Sequence, residues 1–339
     1  MKTVNIGIVG LGRLGRRHAL NLSASVPGAV LVAAASPVGD EQQWARENLP
    51  GAAVYASLGE LLKHDGLDVV WLVTPTSLHV EQIEESLLAG KHVFCEKPLS
   101  LTLAECDRVL TLAAQRPDQM VMIGFTRRFD AAYMALKARI DAGELGKVYR
   151  VHFESHDPID PHGFFVKFAP TSGGLFLDCG IHDVNLARWL ANGARAVRVS
   201  ASGSNLQYPG LAECGDIDTG VGTIEFDNGL VATLFISRTS HRGYEATLWA
   251  SGTEGGALAG KGIAAPAITV EQGNRVAQQG LPDFFARFSD AFLVEAKAFV
   301  NAIRQGAPSP LTLADAREAT RIAIALREAY EGHRVIELE

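Results

Sequence analysis

Through the first 125 residues, apolar positions fall in short unbroken runs, and between the runs they recur at helical spacing. The first run is Val4-Asn5-Ile6-Gly7-Ile8-Val9, followed by a glycine turn and the start of a helix. Further runs at 29–35, 68–75, 92–98 and 120–125 read as buried strands. Stretches 41–48, 58–63, 78–88 and 100–114 read as helices, with Thr76-Ser77 expected to cap the third and Ala89-Gly90 to close it. Strands alternating with helices predict a parallel, doubly wound sheet.

The pattern changes near residue 125. A helix is predicted over 131–142, a strand over 149–154, then a loop, then one helix over 175–190. Strand-like runs follow at 196–203, 219–226, 229–237 and 244–251, with Asp227-Asn228-Gly229 a strong hairpin turn. Residues 255–266 read as a small-residue loop. Helices at 286–304 and 313–330 and a short strand at 334–338 close the chain. The fold class expected is α/β. A doubly wound parallel domain spans 1–125. An α+β domain with a large, open, mostly antiparallel sheet spans 126–339.

Composition narrows the class without changing this picture. A 339-residue chain with 47% hydrophobic and 20% charged residues describes a globular protein long enough for two cores. A net charge of −7 favours neither nucleic acid nor an anionic membrane as partner. No apolar run reaches 18 residues, and strand residues begin at position 4, so neither a membrane span nor a signal peptide is expected. The four cysteines, Cys95, Cys106, Cys179 and Cys214, form no C-x-x-C pair. Disulfides and zinc are therefore not expected, no metal site is predicted, and a cytoplasmic location fits.

Gly10, Gly12 and Gly15 form G-x-G-x-x-G between a strand and a helix, the context that makes this motif a dinucleotide fingerprint. The first glycine allows the turn, the second admits the pyrophosphate and the third lets helix pack on strand. NAD-preferring folds commonly place an acid at the end of the second strand. Ser36 stands there, with Asp40 and Glu41 a few residues on, and Arg13 lies in the glycine turn. NAD is expected by a narrow margin, with NADP use open. Expected cofactor contacts are Gly10, Leu11, Gly12, Arg13, Leu14, Gly15, Ser36, Thr74, Pro75, His79, Glu96, Lys97 and Arg127.

Glu96-Lys97-Pro98 ends a strand at the ligand edge of the sheet, where a lysine can steady a substrate oxygen or exchange its proton. The proline invites a bend, as with a cis bond. Asp178 and His182, four apart, would share a helix face, and a carboxylate that orients an imidazole makes a general base. Arg127-Arg128 and Ser155-His156-Asp157-Pro158 are expected to line a cleft where the domains meet.

Together these residues resemble the glucose–fructose oxidoreductase / inositol dehydrogenase family (Gfo/Idh/MocA). Gly124-Phe125-Thr126-Arg127-Arg128-Phe129-Asp130, Ser155-His156-Asp157-Pro158 and Gly173-Gly174-Leu175-Phe176-Leu177-Asp178 look most like its inositol 2-dehydrogenase branch. The resemblance implies an N-terminal Rossmann domain and a C-terminal domain whose open sheet builds dimers and tetramers. It puts the family's catalytic lysine on Lys97 and its Asp/His pair on Asp178 and His182. Two departures are Ser36, where NAD-using relatives usually carry Asp, and His156, where the inositol branch often has Arg.

The expected activity is oxidation of a secondary hydroxyl of a cyclitol or sugar to a ketone. Lys97, Arg127, His156, Asp157, Asp178 and His182 would touch the substrate. The alternatives are an aldose dehydrogenase or reductase, redox-assisted glycoside cleavage, and a cofactor-bound sensor without catalysis. A homodimer or homotetramer is expected, its contact face carrying Val221, Val231 and Phe235.

Overall fold

The computed structural model describes residues 3–260, 269–272, 275–278 and 280–338. They divide into two compact units. The first comprises the chain up to Thr126 joined by Phe292–Thr320, and the second comprises Arg127–Ala291 with Arg321–Glu339.

The first unit runs β1 (Val4–Val9), α1 (Arg13–Ala24), β2 (Ala29–Ala35), α2 (Gly39–Asn48), β3 (Ala53–Tyr55), α3 (Leu58–Leu61), β4 (Val69–Leu72), α4 (His79–Leu88), β5 (His92–Glu96), α5 (Leu103–Ala114) and β6 (Val121–Gly124). Its six strands are parallel, in the order β3-β2-β1-β4-β5-β6. This is the predicted doubly wound sheet, with the short β3 added. Order reverses between β1 and β4, and ligands of such sheets bind outside the carboxyl ends at that switch point. Gly10, Val73-Thr74 and Lys97 follow β1, β4 and β5 at that edge. Apolar runs with no polar alternation are what a sheet covered on both faces requires, and β4 is buried throughout. Trp71 stacks on Phe94 at 3.8 Å, and Phe299 meets both rings edge-on. Thr76 and Ser77 do not cap α4. They form a 3₁₀ turn, Thr76–Leu78, which leaves Leu78 at the cap position without a side-chain hydrogen bond.

The second unit holds α6 (Ala131–Asp141), β7 (Val148–Pro158), α7 (Phe164–Ser172), α8 (Leu175–Asp178), α9 (Ile181–Leu190), β8 (Ala196–Ser204), β9 (Thr219–Phe226), β10 (Val231–Ser240), β11 (Glu245–Gly252), β12 (Gly256–Ala259) and the hairpin β13 (Thr269–Gln272) with β14 (Arg275–Gln278). Two long helices, α10 (Phe284–Gln305) and α11 (Leu313–Glu331), carry residues of both units, and β15 (Ile336–Glu337) closes the chain. The seven-stranded sheet has the order β12-β11-β7-β10-β9-β8-β15. All neighbours are antiparallel except β7 and β10. Gly229, with φ of 86°, makes the predicted turn between β9 and β10.

Three expectations change here. The loop before residue 175 contains α7. The helix expected over 175–190 is two helices, broken at Cys179-Gly180. Part of the small-residue loop at 255–266 is β12, and residues 261–266 lie outside those described. Among the described residues no helix is long and apolar enough to cross a membrane.

Candidate active site

The glycine turn shows why each glycine is needed. Gly10 has φ of 89°, and a Cβ there would come within 2.4 Å of the Val73 carbonyl oxygen. A Cβ on Gly15 would stand 1.9 Å from the Gly10 carbonyl oxygen, so α1 could not pack on its strand. Gly12 differs: its φ is −66°, and a Cβ would meet only Glu41 Oε1, at 3.7 Å. Nothing among the described residues demands glycine there, which leaves the space for a ligand. Behind it α1 begins with no capping side chain and no acid in its first turn. Its terminal N–H groups suit an anion.

The turns after β4 and β5 are tied together by one buried imidazole. His79 Nδ1 lies 2.7 Å from the Pro98 carbonyl oxygen, and Nε2 lies 2.9 Å from that of Thr74. Burial pulls the His79 pKa down, against the two carbonyls. His79 thus holds the turns in place, with its ring out of solvent. Thr74 Oγ1 donates to Gln82 at 2.6 Å. The Lys97-Pro98 bond is cis, and Lys97 is half-buried at the end of β5. Beneath it Glu96 Oε1 pairs with His18 Nε2 at 2.9 Å, and Glu96 Oε2 accepts the Lys97 N–H at 3.2 Å. Glu295, 0% exposed, belongs to the same unit. Burial and the charge of Glu96 push its carboxyl well up.

In the second unit, residues 175–187 are buried with three exceptions: Asp178, Cys179 and His182. The break between α8 and α9 accompanies this exposure. Gly180 N–H reaches back five residues to the Leu175 carbonyl, and a Cβ at 180 would come within 2.7 Å of Ile236 on β10. Asp178 Oδ2 accepts from Arg238 Nη2 at 3.0 Å, and Arg238 Nη1 donates to Asp216 at 2.9 Å. Asp216 Oδ1 in turn accepts the Leu175 N–H at 2.7 Å, so Arg238 and Asp216 grip both ends of α8. Arg238 is 0% exposed. Burial disfavours its charge, but Cys179, Asp178 and Asp216 outweigh that and hold it protonated. The Cys179 thiol lies 3.6 Å from both Asp157 and Asp178. Burial, then the charge of Asp178, raises the Asp157 pKa.

Two predicted substrate contacts, Arg127 and His156, are buried. Arg127 is buried, its guanidinium bonded to Asp183 at 2.5 Å, Ser155 at 2.7 Å and Tyr244 at 3.1 Å. His156 lies within β7, which continues to Pro158 rather than ending at 154. Neighbours in a strand face opposite ways, so His156 and Asp157 lie on different faces of the sheet. The His156 ring bonds Ser237 at 2.9 Å and meets Phe235 edge-on at 4.7 Å. Burial lowers its pKa.

Comparison with known proteins agrees with this layout. Residues 4–125 match the "Oxidoreductase family, NAD-binding Rossmann fold" domain, and residues 133–258 match the "GFO/IDH/MocA C-terminal domain". The chain belongs to the GFO/IDH/MocA oxidoreductase family. It is 36% identical to scyllo-inositol 2-dehydrogenase (NAD(+)) of Bacillus subtilis, over 99% of this chain and 96% of that protein. It is 33% identical to myo-inositol 2-dehydrogenase of Thermotoga maritima, over 99% of each. The crystal structure of scyllo-inositol dehydrogenase from Lactobacillus casei with bound NAD(H) and scyllo-inositol superposes with a TM-score of 0.93, at 36% identity and 99% coverage of each chain.

The first unit matches an NAD-binding Rossmann fold, and its residues fit NAD. The room at Gly12 and the uncapped start of α1 suit a pyrophosphate. Sequence reasoning did not single out Arg238 and Asp216, which hold α8, or Glu295, buried near Glu96 in the first unit. Only Arg238 left a trace, as a charge closing an apolar strand run.

Proposed function

We propose that this protein is an NAD-dependent inositol 2-dehydrogenase, oxidising one secondary hydroxyl of a myo- or scyllo-inositol-type cyclitol to a ketone. The observation that carries the reading is the confinement of solvent access to Asp178, Cys179 and His182 within an otherwise buried run. A carboxylate and an imidazole amid apolar neighbours are costly unless satisfied or working, and here both reach solvent. NAD bound in the first unit supplies the hydride acceptor. His182 takes the hydroxyl proton as the C–H bond breaks. Asp178, clamped by Arg238, orients it and stabilises its protonated form. The Lys97 ammonium stabilises the charge developing on the substrate oxygen and shares the proton relay.

We also infer a cytoplasmic homodimer or homotetramer. All four cysteines are free, which suits a reducing compartment. Val221 and Phe235, cross-strand neighbours on one face of the sheet, are exposed.

The test is a panel of inositols and aldoses offered with NAD and followed as NADH absorbance. Turnover is expected with myo- or scyllo-inositol. Turnover of aldoses alone would shift the substrate class. Silence across the panel, with NADH binding intact, would make the protein a cofactor-bound sensor.

A further inference from the structure

The end of β2 is where a doubly wound dinucleotide fold usually keeps the acid that reads the adenosine ribose. Ser36 holds that position and is only 1% exposed. Its polar groups are used inside the protein. The hydroxyl donates to Glu41 Oε2 at 2.6 Å and accepts the Val38 N–H at 3.1 Å. The carbonyl accepts from the Gln42 side chain at 2.8 Å. What Ser36 does is aim another residue.

That residue is Glu41, in the first turn of α2. Its Oε2 accepts the Leu11 N–H at 3.2 Å as well as the Ser36 hydroxyl, so the carboxylate rests on the glycine turn itself. Its Oε1 borders the space that Gly12 leaves open. Among the described residues no hydrogen bond reaches Oε1, although a carboxylate oxygen has two lone pairs to offer. Glu41 is half-buried. One oxygen is anchored and the other faces the room that the cofactor requires. Arg16 does not offset this charge towards a phosphate. Its Nε donates to the Leu11 carbonyl at 3.0 Å, and its guanidinium lies over Trp44 at 5.0 Å.

We propose that Glu41 selects NAD over NADP: reaching back from α2, it supplies the carboxylate that the end of β2 lacks, accepting from the ribose hydroxyls and repelling a 2′-phosphate. The inference rests on NAD binding by the first unit and not on the polyol.

Titration of the protein with NADH and with NADPH, followed by nicotinamide fluorescence without any polyol, reads the discrimination directly. The wild type should bind NADH about tenfold or more tightly than NADPH, the scale of a charge-assisted hydrogen bond. Glu41→Gln should reduce that ratio by about tenfold, chiefly through weaker NADH binding, with its melting temperature near wild type. Ser36→Asp combined with Glu41→Ala should restore the preference for NADH. A wild type that binds both equally overturns the proposal, whatever the variants do. So does a Glu41→Gln that leaves the ratio unchanged or weakens both cofactors alike. If Glu41→Gln does not fold, the wild-type ratio and Glu41→Asp carry the test, an unchanged ratio in Glu41→Asp counting against the proposal. Loss of polyol turnover with this ratio intact would overturn the inositol assignment and leave Glu41 standing.

Discussion

At the scale of single residues, His182 and His79 are two histidines in opposite surroundings. His182 is half-buried beside Asp178 and Cys179, where a base can meet a substrate hydroxyl. General-base catalysis is typically worth roughly 10²–10⁴-fold. His182→Ala is therefore expected to lower kcat on that order while the Kd for NADH, set in the first unit, stays at the wild-type value. Wild-type turnover in that variant would remove His182 from the chemistry.

His79 is buried between two carbonyls, and its pKa lies below the ordinary histidine value of about 6.5. Below that pH the unfolded chain binds a proton that the folded protein resists. Stability from this group is thus present above about pH 6.5 and is lost as pH falls towards the lowered folded value. Melting temperatures from pH 7.5 to 5.5 should fall more steeply for wild type than for His79→Gln. His156 shifts the same way but remains in both proteins, so the difference isolates His79. Parallel curves would show that His79 carries no such linkage. Local spacing is what singles out Lys97, Asp178 and His182 in the sequence. Arg238 is not singled out, because its partner Asp178 is 60 residues away in sequence and only the fold joins them. His156 was misplaced for a related reason. The strand carries on through polar residues to Pro158, and polarity alone reads as loop.

At the scale of elements, the turn between β1 and α1 separates two uses of glycine that the sequence motif presents as one. Gly15 lacks a side chain because α1 must touch the backbone of Gly10. Gly12 lacks one although the protein leaves room for it. Gly12→Ala should therefore fold and melt like wild type while its Kd for NADH rises. Gly15→Ala should lose thermal stability, because helix and strand must part. Calorimetry and NADH titration on both variants read the difference. Equal destabilisation would mean that the Gly12 space is structural. Most elements were legible because apolar runs and their glycine and proline boundaries are local. The missed helix α7 contains Pro170 and is flanked by Gly163 and Gly173, three signals that locally argue for loop. Packing overrides them: Ala169 is buried in a cluster with Tyr208 and Leu211. The break between α8 and α9 was invisible for the opposite reason. Cys179-Gly180 keeps helical dihedrals, and the close approach of Ile236 and of the Phe176 carbonyl is what demands the glycine.

At the scale of the whole molecule, the membership of Phe292–Thr320 in the first unit could not be read from sequence, since an amphipathic helix does not say whose core it covers. The sheet of the second unit was easier, because strict alternation sorts its faces. In β9 and β10, Gly220, Gly222, Ile224, Ala232, Leu234 and Ile236 are buried. Leu326 of α11 and Phe176 of α8 pack over Gly222 on that side. The opposite face carries the cross-strand pair Val221 at 47% and Phe235 at 36% exposure, with Thr223, Thr233 and Val231 further along it. Single exposed apolar residues need no partner, but a β-branched and aromatic patch across paired strands is suited to a second sheet. Burying it against the same patch of another copy gives a closed, two-fold contact. Phe235→Lys would then place like charges opposite each other across that axis. Wild type should scatter light as two or four copies of the 36.2 kDa chain at micromolar concentration, and Phe235→Lys should shift towards smaller species in low salt. Its NADH affinity should be unchanged, because Phe235 belongs to the unit that lacks the glycine turn. A wild type that stays monomeric would leave this face to solvent and the catalytic assignment intact. An assembly indifferent to Phe235→Lys would move the contact elsewhere on the surface.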